Sequence, residues 1–578
     1  MLQRAPHEPT FVELFTPKLV TVLREGYGFR QFRADALAGL TVAIVALPLS
    51  MAIAIASGAP PERGLYTAIV AGFLISALGG SRFQVGGPAG AFIVLVAASI
   101  ERHGFDGFLL ATMLAGFMLV AIGLLRLGTY IKYIPHPVTV GFTAGIAVII
   151  LASQLKELFG LRLAGKEPAA LVPKLEALWA ARITLDPTTC AVAFGAIAVI
   201  VLVRRLRPHW PAFLIAVGLG AIATWALGLP VETIGTRFGG VPSTLPAPAL
   251  PALSLDKLQA VLPDAFALAL LGGIESLLSA VVADGMSGRR HRSNCELVAQ
   301  GVANVASAAF GGLTATGTIA RTATNVRAGA TGPVAGMLHA AFLLVFMLVA
   351  APLASFIPLA ALGAVLAVVA WNMAEGAVFL AILRRSRGDA LVLLATFLLT
   401  VFRDLTEGIA VGVVLGSLLF MHRMAALVAV AGEATLMATD QADAGERTAA
   451  TYDAAAASDR DILVYRIAGP LFFGAAASVG SVLERMGDYP RALILDVSAV
   501  PLADSTAALS LRTFIDKARR HGARVYVAGA VPPVRRTLAH EGLRVPVVRY
   551  AATVSDARAA AARALAPAVE TAASSRAA

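Results

Sequence analysis

Two glycine-rich runs, GGSRFQVGGPAGAF at 79–92 and FGGLTATGTIART at 310–322, hold the residue types best suited to bind an anion through the backbone. In the first, Gly86, Gly87 and Pro88 forbid an unbroken helix, and Pro88 suits the first turn of a new one. In the second, Gly311, Gly312 and Gly317 break the run, and Thr314, Thr316 and Thr318 offer hydroxyls to cap the helix that follows. A helix start exposes unpaired N–H groups and the positive end of its dipole, and small residues let a ligand approach them. The expected cradle is therefore Pro88, Ala89, Gly90 and Ala91 from one run and Thr316, Gly317, Thr318 and Ile319 from the other. One such run alone is as well explained by close helix packing; a pair at matched positions points to a shared ligand.

Two charged residues stand close to this pair. Arg321 either adds a full positive charge to the same pocket or snorkels toward the interface. Glu275 lies within FALALLGGIESLLSAVVAD, at a depth where an ionised carboxylate is costly. It is the candidate coupling residue, as a proton carrier or, with Ser279 one turn later, as a Na⁺ ligand; the structural alternative is a permanently protonated group bonded to a neighbouring helix. Asp284 reads as a structural residue at the membrane edge.

Other chemistry is excluded by its missing partners. The G-x-x-x-x-G-K at Gly160 to Lys166 is followed by Glu167 instead of Ser or Thr and follows no strand. The sequence has no HExxH or CxxC, and Cys190 and Cys295 fall in or beside apolar runs as core fillers. No cofactor, metal catalysis or enzyme activity is expected, so the driving energy must come from ion gradients.

The elements that position these residues must sit in lipid, since 58% of the 578 residues are hydrophobic, 14% are charged, and the mean hydropathy is +0.77. A hydrocarbon core of about 30 Å needs roughly 20 apolar residues per helical crossing. Apolar runs predict fourteen segments near 37–57, 64–80, 87–100, 107–126, 137–155, 187–203, 209–228, 262–284, 295–310, 317–327, 332–352, 356–375, 388–403 and 406–424. Seven plus seven inverts the second half, because seven is odd, and the third segment of each half is the broken one.

The net charge of +11 is spread over short loops, which argues for membrane orientation over nucleic acid binding. Alternate loops hold Arg82; Arg126 and Lys132; Arg204, Arg205 and Arg207; Arg289, Arg290 and Arg292; Arg327; Arg384, Arg385 and Arg387; and Arg423 follows the last segment. These loops face the cytoplasm, and both termini are expected there, the first thirty residues having no apolar leader. The domains expected are an N-terminal segment 1–32, a transport domain 33–430, a polar linker 431–460, a small α/β domain 461–565 with helices near 475–487 and 504–520, and a disordered tail 566–578.

These residues resemble the SulP family of anion transporters, called solute carrier 26 in animals. The resemblance is carried by ALPLSMAIAIASGAPPERGLYTAIVAG (46–72), the first broken run, the stretch GGIESLL to VRAGA (272–330) and LILDVSAVPLADST (493–506). It implies an all-α, UraA-like membrane domain of two inverted seven-segment repeats with a cytoplasmic STAS domain. It also implies a homodimer in the bacterial inner membrane, elevator-like movement of a core against a gate, and a possible cytosolic protein partner for the STAS domain. Within the family, FGGLTAT, IARTATNVRAGAT, VAWNMAE and LLFMHRM are most similar to the dicarboxylate-uptake members of enteric bacteria. That makes proton-coupled symport of C4 dicarboxylates such as succinate or fumarate the first expectation; sulfate or bicarbonate transport, Na⁺-coupled or by exchange, and a passive channel are the alternatives.

Departures matter. Many members read P-Q-S-M-A-Y where this chain has Pro48, Leu49, Ser50, Met51, Ala52 and Ile53, leaving Ser50 as the polar candidate on the first segment. Gly86 and Ala89 replace the Ser and Thr of the usual S-G-P-T, so the pocket should rely on backbone N–H groups. Glu275 stands where bicarbonate members have Asp, which favours H⁺ over Na⁺. In the STAS domain Ser505 and Thr506 occupy a place phosphorylated in related domains, but Ala507 replaces the usual Gly and helix capping by Ser505 is the expected role.

Overall fold

A computed structural model describes residues 10–131, 135–165, 167–168, 170–207, 210–252, 254–403, 405–426, 429–432, 461–471 and 490–565. Most of the expected linker, the helix near 475–487 and the tail lie outside these. The chain divides into two compact units, Met1–Gly416 and Ser417–Ala578.

In the first unit the apolar runs fold into helices α1 (Phe29–Ala56), α2 (Pro61–Leu78), α3 (Ile93–Leu124), α4 (His136–Phe159), α5 (Pro187–Leu206), α6 (Ala212–Leu227) and α7 (Leu255–Ser287). They continue as α8 (Ser293–Ala309), α9 (Ile319–Arg327), α10 (Val334–Ala354), α11 (Leu359–Met373), α12 (Gly376–Arg385) and α13 (Arg387–Phe402), and α14 (Leu405–Ala426) begins in the first unit and ends in the second. Each of the fourteen expected segments has its helix. Segments three and four both lie in the range given as α3, but Gly104, at φ +70° and ψ 175°, leaves the helical path between them, so they are two helices meeting at a kink. The amphipathic α12 and the short helix Leu171–Ala180 were not expected; both are too brief to cross a bilayer and fall where the sequence reads as loop. Large apolar side chains such as Val349, Trp371 and Leu227 are exposed on the bundle, as a chain solvated by lipid tails requires.

The helices sort into two groups. Those flanking the breaks, α1, α2, α3, α7, α8, α9 and α10, pack mainly on one another, and α4, α5, α6, α11 and α13 form a second set. Small residues set the close approach. A Cβ on Gly116 would meet the Gly301 carbonyl at 2.7 Å, and one on Gly301 would meet the Gly116 carbonyl at 2.5 Å, so α3 and α8 touch backbone to backbone. Asp35, fully buried on α1, accepts hydrogen bonds from the Tyr27 hydroxyl at 2.8 Å and from the Thr331 hydroxyl at 2.9 Å and the Gly332 N–H at 3.2 Å ahead of α10.

The second unit holds a five-stranded sheet in sequence order, β3 (Ala429–Gly432), β4 (Ile462–Ala468), β5 (Ala492–Ala499), β6 (Arg524–Ala528) and β7 (Arg549–Ala551), antiparallel only at β3–β4. β3 corrects the expected boundary: its residues were assigned to the end of the transport domain and the start of the linker. Helices α15 (Ser505–Arg520), α16 (Pro532–His540) and α17 (Val554–Leu565) accompany the sheet. The cap of α15 is Asp504, whose Oδ1 accepts the Ala507 N–H at 2.8 Å, and not Ser505, which is the first helical residue. Asp504→Ala should therefore destabilise this helix by about 1 kcal/mol. Faster amide exchange across 505–520 checks this, and unchanged protection would remove Asp504 from the role.

Candidate functional site

The two broken runs meet. Residues Gly86–Pro88 (β1) and Ala315–Gly317 (β2) form an antiparallel two-stranded bridge with Gly86 opposite Gly317, Gly87 opposite Thr316 and Pro88 opposite Ala315. Backbone that leaves a helix inside a membrane must find partners within the protein, and each break supplies them to the other. Helical structure resumes just beyond, at Gly90 on one side and Ile319 on the other, with extended residues Ala89 and Thr318 as N-caps. Neither start carries a side-chain cap, so the first N–H groups of both have no acceptor from their own helix or from a capping side chain.

Two expectations fail in detail here. Pro88 pairs in β1 and is not in the first helical turn. The three threonines do not cap: Thr314 Oγ1 shares a hydrogen bond with Thr112 Oγ1 at 2.9 Å, Thr316 Oγ1 donates to the Gly272 carbonyl at 3.1 Å, and Thr318 Oγ1 donates to the Val85 carbonyl at 3.3 Å. Strand pairing turned these hydroxyls outward from the bridge to bond its surroundings, and the helix starts remain free.

Arg321 does not snorkel toward the interface but turns inward to the first break. It is 1% exposed, and its guanidinium donates to Ser50 Oγ at 3.1 Å, the Pro88 carbonyl at 3.2 Å and the Gly86 carbonyl at 3.4 Å. No carboxylate pairs with it among the described residues, and its Nε has no partner. Ser50, the polar candidate on α1, is thus a ligand of the arginine. Gly87, at φ +153°, makes room, since a Cβ there would stand 2.0 Å from Arg321 Nη1. Ala89, Ala91 and Gly317 are buried, Gly90 is partly open, and Ile319 is exposed.

Helix α7 backs the bridge along one stripe. The Gly272 carbonyl receives Thr316, Ser276 Oγ accepts Gln84 Nε2 at 3.0 Å, and Ser279 Oγ donates to Thr322 Oγ1 at 3.0 Å. Glu275 lies among these, 9% exposed, with no hydrogen-bond or ion-pair partner among the described residues. The bond to a neighbouring helix that the structural alternative requires is absent among the described residues. Among the described residues no cluster of three His, Cys, Asp or Glu side chains is present.

Several polar residues went unnoticed in the sequence. Asn304 on α8 brackets Ala315, accepting its N–H through Oδ1 at 2.8 Å and donating to its carbonyl at 2.8 Å. Asn325 Nδ2 donates to the Phe83 carbonyl at 2.9 Å, and Gln84 reaches α7 as above. The rule that singled out Glu275, a polar residue amid apolar neighbours, would also have found Asn304. A Cβ on Gly317 would lie 1.6 Å from Gln84 Nε2. Gly317→Ala should then expel Gln84 from Ser276 and cost about 1–3 kcal/mol, visible as a lower melting temperature; a melting temperature equal to the parent's would contradict the packing.

Paired, uncapped helix starts with a buried, unpaired guanidinium behind them define a membrane carrier of anions. The profile of the sulfate permease family matches residues 32–396 and that of the STAS domain matches residues 453–557. The chain belongs to the sulfate permease family and is an anion transporter of it. It is 39% identical over 522 residues to the putative sulfate transporter YvdB of Bacillus subtilis, covering 90% of this chain and 95% of that one. It is 31% identical over 524 residues to the bicarbonate transporter BicA of Picosynechococcus, covering 88% and 91%. The solved transmembrane domain of a cyanobacterial BicA superposes with a TM-score of 0.60 at 33% identity, over 66% of this chain and 98% of that one. The murine solute carrier 26 member A9 anion transporter, in its inward-facing state, gives 0.81 at 20% identity over 97% of both chains, which shows the shared fold.

The relatives by sequence are named as a putative sulfate transporter and a bicarbonate transporter, and none of them supports the dicarboxylate expectation, so the sulfate or bicarbonate alternative fits better.

Proposed function

We propose that the protein is a secondary active carrier of a small inorganic oxyanion, sulfate or bicarbonate, in the bacterial inner membrane with both termini in the cytoplasm. The observation that carries this reading is Arg321: a buried guanidinium without a carboxylate, held by backbone carbonyls beneath two free helix starts. An unneutralised buried charge is costly, and a compact anion at the helix starts relieves that cost. The cradle is Ala89, Gly90 and Ala91 opposite Thr318 and Ile319, with Ser50 and Arg321 behind. Glu275 supplies the coupling site; an unpartnered carboxylate at this depth is suited to exchange a proton, and H⁺ is the coupling ion proposed, ahead of Na⁺ at Glu275 and Ser279.

Proteoliposomes holding the full chain test this with labelled sulfate, bicarbonate and succinate under imposed pH or Na⁺ gradients. Accumulation of sulfate or bicarbonate beyond equilibrium is the expected result. Accumulation of succinate alone would overturn the substrate reading, and downhill flux without accumulation would make the protein a channel.

A further inference from the structure

The loop between α7 and α8 borders a shallow, largely open depression of about 410 Å³ lined by Val281, Asp284, Gly288, Arg289, Arg290 and His291. Its frame is fixed. Asp284 Oδ2 accepts the His291 backbone N–H at 3.1 Å and meets His291 Nδ1 at 2.6 Å, while His291 Nε2 meets Ser293 Oγ at 3.1 Å. Arg292, next in sequence, is tied to the Thr16 carbonyl at 2.6 Å and to Thr21 Oγ1 at 3.2 Å. Arg289 and Arg290 are different: both line the depression, and neither guanidinium has a hydrogen-bond or ion-pair partner among the described residues.

Orientation alone explains why arginines occur in this loop, but not why two without a hydrogen-bond or ion-pair partner line one depression beside an apolar strip. The carboxylates in range bond other groups, Asp284 with His291 and Glu25 with Arg82, and Glu25 acts on Arg289 only through space, beyond ion-pair distance. Above the depression, Val281, Val282 and Met286 of α7 are 45%, 36% and 39% exposed, an open apolar strip running into the basic mouth. Apolar surface meeting unpaired guanidinium groups suits an amphiphile with a phosphate head, and guanidinium binds phosphate oxygens through two parallel hydrogen bonds.

We propose that this depression is a phosphate-binding site, separate from the transport pocket, taking the headgroup of an anionic phospholipid or a free phosphate. Arg289 and Arg290 hold the phosphate oxygens, and the strip from Val281 to Met286 lies along an acyl chain when the phosphate is a lipid's.

The test uses the full chain and its Arg289→Gln/Arg290→Gln double variant. Binding of fluorescent phosphatidylglycerol is measured in nanodiscs of phosphatidylcholine, and binding of inorganic phosphate in detergent by calorimetry. Removing two interfacial arginines should weaken binding of the lipid roughly 25-fold. Anion uptake in phosphatidylcholine vesicles should remain at the parent level, which separates this site from the transport pocket and shows that the variant folds. Loss of phosphate affinity with no effect on the lipid assigns the depression to a soluble phosphate. Equal binding of both probes by parent and variant overturns the proposal.

Discussion

Replacing Arg321 with glutamine should lower anion affinity about 100-fold, because removing one partner of a buried, hydrogen-bonded charge costs about 3 kcal/mol. The side chain does two jobs that glutamine cannot combine. It places a full charge beneath the helix starts, and its fork reaches Ser50 and the carbonyls of Gly86 and Pro88 together. Lysine keeps the charge without the fork, so Arg321→Lys should retain part of the affinity while loosening the bridge. Equilibrium binding of labelled sulfate or bicarbonate measures both variants. A glutamine variant that binds like the parent would remove Arg321 from the site and leave the helix starts as the only source of attraction.

Glu275→Gln is expected to uncouple transport without closing the pocket. With one proton moved per monovalent anion, a pH difference of one unit supports roughly tenfold accumulation. Glutamine is nearly the same size but does not titrate, so accumulation should fall to the equilibrium level while counterflow exchange of the anion continues. Glu275 is suited to this role by position: within about a turn, Gly272, Ser276 and Ser279 bond Thr316, Gln84 and Thr322 around the two breaks. A variant that still accumulates tenfold would move the coupling site elsewhere. A variant that loses exchange as well would make Glu275 part of the cradle.

The breaks were legible because glycine and proline punctuate a helix wherever they occur, and the two runs stood at matched places in the two halves. What filled the breaks was not legible. Thr314, Thr316 and Thr318 are good capping residues by type, but the extended bridge turned each toward Thr112, Gly272 or Val85, and no local signal in a stretch of three residues announces a strand whose partner lies about 230 positions away. Arg321 had two plausible directions because a helix of nine residues gives its phase only once its start is known. The division between the third and fourth segments is legible too, since it falls at Gly104, whose φ of +70° interrupts the helix. The sequence places Asp504 within a helix near 504–520 and gives the cap to Ser505, an equally good capping residue; the backbone, extended at Asp504 and helical after it, makes Asp504 the cap.

The bridge between Gly86–Pro88 and Ala315–Gly317 has a mechanical consequence. Because every rung joins the amino-terminal half to the carboxyl-terminal half, a shift of one break pulls on the other. On the proposed reading the two halves of the cradle would then move as a single carriage, and an anion resting on the pair would be carried whole or not at all.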